Sequence, residues 1–231
     1  MEREAGIDRE EEAGKKRQEM DDSMELGYAE YDTIEEAIQN RQWEKVYLPP
    51  SQNEWCRSWL VQSLLYVSPF EEGAMEALLR ISGEDTDWHF YFIALYPPLS
   101  ALRYFVETGR LSVNRSDDGI LLGRYLLLPD REAEVRYLLA QGACPNLQHA
   151  DTGNTILMDY VRFQLEEDGP SGAFLEECPF PEVEKRVREF LAMGMDPLLP
   201  NKYGLTVVDR VQLLLPSSEK ESLLALLSES A

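Results

Sequence analysis

The chain has 231 residues, of which 43 are acidic and 22 basic, giving a formal charge of −21 with 44% apolar content. That apolar share supports a real core, in one solenoid or two small domains, while the acidic excess argues against direct binding to nucleic acid. There is no uninterrupted apolar run of about 18 residues and no apolar stretch after a basic start, so neither a membrane span nor a secretory signal is expected.

Residues 1–25 are highly charged and almost free of large apolar side chains. Such a segment buries too little to offset its ordering entropy, so it reads as a disordered or helical tail. Residues 26–231 form the expected folded region. Ile34, Ala37 and Ile38 begin an apolar helical face, Trp43 and Val46 extend it, and Pro49-Pro50 stop it. Trp55 to Val67 is a strongly apolar helix, expected to be buried on most sides, and Met75, Leu78 and Leu79 repeat the helical spacing. Trp88 to Tyr96 is dense in aromatics and fits a buried strand by periodicity alone. Its place between two helical signatures favours a helix.

A pattern then recurs. Leu102, Phe105 and Val106 precede Gly109, followed by Asn114 and Asp118-Gly119. Val135, Leu138 and Leu139 precede Gly142-Ala143-Cys144-Pro145-Asn146, followed by Asp151-Thr152-Gly153-Asn154-Thr155. Val187, Phe190 and Leu191 precede Gly194, followed by Asp196-Pro197 and Asn201 to Thr206. Each unit reads as a helix closed by glycine, a protruding turn, and a second helix, with Thr155 placed as an N-cap. Gly142 follows Gly109 by 33 residues and Gly194 follows Gly142 by 52; the excess falls on a polar insertion, residues 166–185. Glu166, Glu167 and Asp168 open it, and Phe174, Leu175 and Phe180 lie among further acids. A loop of this length is either functional or mobile. After Pro216, Ser217 is placed to cap a last helix with Leu223, Leu226 and Leu227 on one face, which suits a C-terminal cap.

These motifs resemble the ankyrin repeat, whose period is about 33 residues. The likeness is clear over residues 101–210, about half of the chain, and faint elsewhere. It departs from the family where Pro-Leu-His normally follows the threonine: Ile156-Leu157-Met158 and Val207-Val208-Asp209 stand there, so the repeats are degenerate. The alternative is a generic stack of helical hairpins. The resemblance implies an all-α solenoid with a C-terminal helical cap, and a partner on the concave face of turns and first helices. Residue by residue, it points to Arg115, Asp117, Asp118, Arg124, Tyr125, His149, Asp151, Asp159, Asn201, Lys202 and Tyr203 as partner-binding candidates.

The residues offer little for catalysis. No Cys-x-x-Cys, His-x-x-x-His, Gly-x-Ser-x-Gly or phosphate-binding glycine loop occurs. Paired carboxylates are too common in so acidic a chain to signal acid–base work. His89 and His149 are far apart in the chain, and His89, in the aromatic run, reads as a core or surface histidine rather than a base. No enzyme, metal or cofactor is expected. Cys56, Cys144 and Cys178, odd in number and widely spaced, suit free thiols in a reducing compartment, so a cytoplasmic location is expected. The expected function is binding one protein partner; the acidic charge either serves solubility alone or steers a basic partner, and the sharpest form is an immunity-type inhibitor that neutralises a toxin. The alternative is an acidic nucleic-acid mimic occupying a DNA-binding surface.

Overall fold

The computed structural model describes residues 32–48, 54–128, 130–165, 180–213 and 218–229. The expected tail at 1–25 lies outside these residues, as do 166–179 of the expected insertion and the expected cap residue Ser217. Among the described residues every regular element is a helix, and the sole β-contact is an isolated bridge between Gln148 and Thr155. The fold is all-α. The chain divides into two compact units, residues 1–86 and 87–231. No described helix is long and apolar enough to cross a membrane.

In the first unit, helix α1 (32–39) buries Ile34, Ala37 and Ile38 as their spacing predicts. It does not run on through Trp43. Arg41 takes the left-handed conformation at φ 56°, and the Gln42 N–H turns back to the Ala37 carbonyl at 2.8 Å. Trp43–Lys45 then forms a separate 3-10 turn. Helix α2 (Glu54–Leu65) buries Leu60, Val61, Leu64 and Leu65 but exposes Arg57 and Gln62, so its described side chains from 57 onward are covered on one face rather than on most sides. Helix α3 (Glu72–Ser82) packs against α2 and buries Ala74, Met75, Leu78 and Ile81. Trp43 lies across α3 at Gly73, where an added Cβ would come within 2.1 Å of the indole.

The second unit contains α4 (Trp88–Leu95), α5 (Leu99–Glu107), α6 (Leu121–Leu126), α7 (Glu132–Ala140), α8 (Ile156–Leu165), α9 (Phe180–Ala192), α10 (Val207–Leu213) and α11 (Ser218–Glu229). The aromatic run is α4, capped by the Asp87 carboxylate, which accepts the His89 N–H. Trp88 and Phe92 each meet Phe105 of α5 with ring centroids 5.0 Å apart. The expected insertion is shorter than the sequence suggested, because its last six residues, 180–185, already belong to α9. Contacts pair α6 with α7, α8 with α9 and α10 with α11, and also join α4 to α6, α5 to α7, α8 to α10 and α9 to α11.

One local arrangement recurs through this unit. Gly142 takes φ 84° after α7, a conformation that costs a side-chain-bearing residue, and the Ala143 N–H closes on the Leu138 carbonyl at 3.0 Å. The same closure follows α5 and α9, where Arg110 and Met195 donate to the carbonyls of Phe105 and Phe190. Asparagines then tie one such corner to the next. The Asn114 side chain donates to the Gly142 carbonyl at 2.9 Å and accepts the Cys144 N–H at 2.7 Å. Asn146 repeats both bonds, to Gly194 at 2.9 Å and Asp196 at 2.7 Å. Leu138, Phe105 and Phe190 are fully buried beneath these corners.

Candidate functional site

The turns ahead of α6, α8 and α10 come together through their backbones. The Ala150 N–H donates to the Ser116 carbonyl and the Lys202 N–H to the Thr152 carbonyl, each at 3.1 Å. The Lys202 ammonium also donates to the Ala150 carbonyl, and Gln148 reaches the Pro200 carbonyl at 2.8 Å. Gly153 is held at φ 71°, and an added Cβ would stand 2.7 Å from the Lys202 nitrogen. The turns can approach this closely only with glycine there.

Arg115 gathers three carboxylates. Its guanidinium donates to both Asp87 oxygens at 2.5 and 2.7 Å, to Asp117 at 2.5 and 2.7 Å, and to Asp118 at 3.0 Å. The bonds to Asp117 and then Asp87 raise the arginine further above its ordinary range. The arginine bonds hold the Asp87 and Asp117 carboxyls below theirs, against the opposing effect of burial. Arg115 therefore fastens the cap of α4 to the next turn, and its charge is already met within the chain. His89 is a buried histidine whose Nε2 sits 3.1 Å from the Gly119 carbonyl, to which it donates. It acts in the core, the buried one of the two places that its aromatic surroundings left open.

A second polar network starts at the next turn. His149 Nε2 lies 3.0 Å from one Asp159 oxygen, and Asn154 donates to the other at 2.9 Å. Asn201 in turn donates to the Asn154 side chain at 2.9 Å, while its own oxygen accepts the N–H groups of Tyr203 and Leu205. Burial pushes the Asp159 carboxyl up, but the hydrogen bonds from His149 and Asn154 outweigh it and leave the group below the usual carboxylate range. Met158 donates its N–H to Thr155 Oγ1 at 3.2 Å, so Thr155 caps α8 as expected.

Between the turns and the helices α6 and α8 lies a groove of about 410 Å³. Asp117, Asp118, His149 and Asp151 line its turn side, and Arg124, Asp159, Arg162 and Phe163 line its helical side. Arg124 makes no side-chain hydrogen bond or ion pair among the described residues, and Arg162 rests its guanidinium 5.7 Å from the Phe163 ring centre. Asp151 is exposed and likewise unpaired among the described residues.

The structure thus brings Asp117, Asp118, Arg124, His149, Asp151 and Asp159 into one groove. Lys202 and Tyr203 belong to the adjoining turn, where Tyr203 is 75% exposed. Two expectations need correction. Tyr125 is 0% exposed, and its hydroxyl donates to the Pro97 carbonyl at 2.7 Å, so it is a core residue that faces no partner. Asn201 is 6% exposed and turns inward to satisfy the backbone of its own turn. Arg162 and Phe163 were missed, although they follow Asp159 by three and four residues and so share its helical face. No group of metal-ligating side chains occurs among the described residues. No protein-family model, curated protein or solved structure matches the chain.

Proposed function

We propose that this chain is a non-catalytic protein-binding module built from degenerate ankyrin-like repeats over residues 101–210, capped by α11. The recurring helix corner, the paired asparagine bonds and the turn-to-turn contacts support the repeat reading. The observation that carries the function is the groove between successive turns and the helices behind them. It offers an unpaired arginine and an unpaired aspartate on opposite sides, beside the aromatic ring of Phe163. Mixed charge beside an aromatic is the chemistry of protein recognition.

The net charge of −21 adds a long-range field that favours a basic partner and speeds its approach. A small acidic binding module of this kind suits the neutralisation of a basic protein, as an inhibitor or immunity factor does. Mimicry of nucleic acid needs carboxylates in regular rows. Here Asp117 and Asp118 share one arginine, and the groove interleaves acids with Arg124 and Arg162.

Quantitative capture tests the reading, with the chain and its Asp151→Arg variant as baits beside an Arg188→Glu control on α9, which does not line the groove. The expected result is a protein partner retained by the chain and the control and lost by the groove variant. Equal retention by all three overturns the site.

A further inference from the structure

We infer, resting on that protein-binding reading, that the groove seats a partner's aspartate or glutamate side chain against Arg124 and Arg162, with a basic residue of the same partner at Asp151. Acids outnumber bases 43 to 22, so carboxylates are plentiful. Among the described arginines Arg41, Arg115, Arg131, Arg186 and Arg188 each hold one, at 2.5–3.0 Å, while Arg80 and Arg136 bond backbone carbonyls and Arg103 lies over the Tyr137 ring. Arg124 does none of these, although it lines a groove with four aspartates.

The reason lies in what holds those aspartates. Asp117 and Asp118 are drawn to Arg115 on the turn side. Asp159 spends one oxygen on His149 and the other on Asn154, a residue itself fixed by Asn201. Asp151, on the rim, remains open. Arg162 is turned onto Phe163 and has no carboxylate within ion-pairing distance among the described residues. The groove therefore presents guanidinium donors on its helical side whose internal acceptors are already taken.

A carboxylate matches these donors in kind. A guanidinium is planar and binds a carboxylate with two parallel hydrogen bonds, and it carries less hydration to lose than an ammonium does. The ring of Phe163 and the side chains of Ile120 and Leu127 supply an apolar border that lowers the local dielectric around such a pair. The open Asp151 on the opposite side sets the polarity of what can enter: a segment with its acid toward the helices and a base toward the turns. Charge arranged in this way excludes a uniformly acidic segment, which Asp151 and the field of the chain repel, and a uniformly basic one, which Arg124 and Arg162 repel.

The test follows the arginine Nε–Hε signals of the full chain by NMR. The probes are acetyl-Gly-Asp-Gly-Lys-amide and its all-lysine counterpart, acetyl-Gly-Lys-Gly-Lys-amide. The expected result is a saturable shift of the Arg124 and Arg162 signals with the aspartate peptide alone. Arg124→Gln and Arg162→Gln, each checked by its melting curve, weaken that binding by about tenfold or more. Absence of a saturable shift at both arginines overturns the proposal. Preferential binding of the all-lysine peptide does so too, and makes the groove a seat for a basic side chain. Uniform shifts of all surface arginines reduce the effect to ionic strength and likewise overturn it. Loss of a captured partner with Asp151→Arg but not with Arg124→Gln sinks this inference and leaves the protein-binding reading standing.

Discussion

Replacing Leu138 by Ala probes the packing that positions the turns. Leu138 lies on α7 with 0% exposure, and its carbonyl accepts the Ala143 N–H that closes the helix corner. The substitution removes buried carbons without touching that bond, so the loss comes from lost burial and the cavity left behind. Fully buried leucines lose about 2–5 kcal/mol on this change, and the absence of exposure places Leu138 in the upper part of that range, at about 3–4 kcal/mol. Against a total stability of about 5–15 kcal/mol this is a large fraction. It corresponds to a fall in melting temperature of roughly 10 °C for a domain of this size. Urea titration followed by far-UV circular dichroism reads both the midpoint and the slope. A loss below about 1 kcal/mol with an unchanged slope refutes the packing described for α7.

Three further substitutions test the joints of the site. Asn146→Ala removes one donated and one accepted bond between corners; at a partly exposed position water recovers part of each, leaving a cost of about 1–2 kcal/mol by urea titration. Gly153→Ala forces a side chain into φ 71° and against the Lys202 backbone, so a loss of about 1–3 kcal/mol is expected, and amide exchange at Lys202 should rise. Asp159→Asn should cost about 1–3 kcal/mol near neutral pH through the bonds to His149 and Asn154. The Asp159 carboxyl is depressed in the folded chain, so its contribution is present above the unfolded value of about 3.9 and is lost as pH falls through the lower folded value. The gap in urea midpoint between chain and variant should therefore close below about pH 4; a gap that widens there contradicts the assignment.

Much of the scaffold was legible because its signals are local. The spacing of Val135 and Leu138, and of Val187 and Phe190, put those residues on buried faces as expected. Gly109, Gly142 and Gly194 all take positive φ at the ends of their helices. Thr155 caps α8 through its own hydroxyl. What escaped depends on distant partners or on backbone choices that leave no mark in the pattern. Arg41 ends α1 in a conformation that glycine usually signals, so the helix seemed to continue. Tyr125 looked amphipathic, but its acceptor is the carbonyl of Pro97, in another helix corner far back in the chain. Turn positions located Asp118, His149 and Asp151 at the groove, yet the direction of each side chain followed only from packing, and Asn201 turned inward. Arg162 and Phe163 lie one helical turn beyond Asp159, outside the turn motif that marks the other groove residues.

Site-specific photo-crosslinking shows directly whether a protein enters the groove. A photoreactive residue at Thr152, which lines the groove, is compared with one at Arg188, exposed on α9 away from it, in the cells that make the protein. One discrete protein adduct is expected from position 152, lost on introducing Asp151→Arg, and none from position 188. Adducts from position 188 alone, or a nucleic-acid adduct at position 152, would contradict a protein-binding groove.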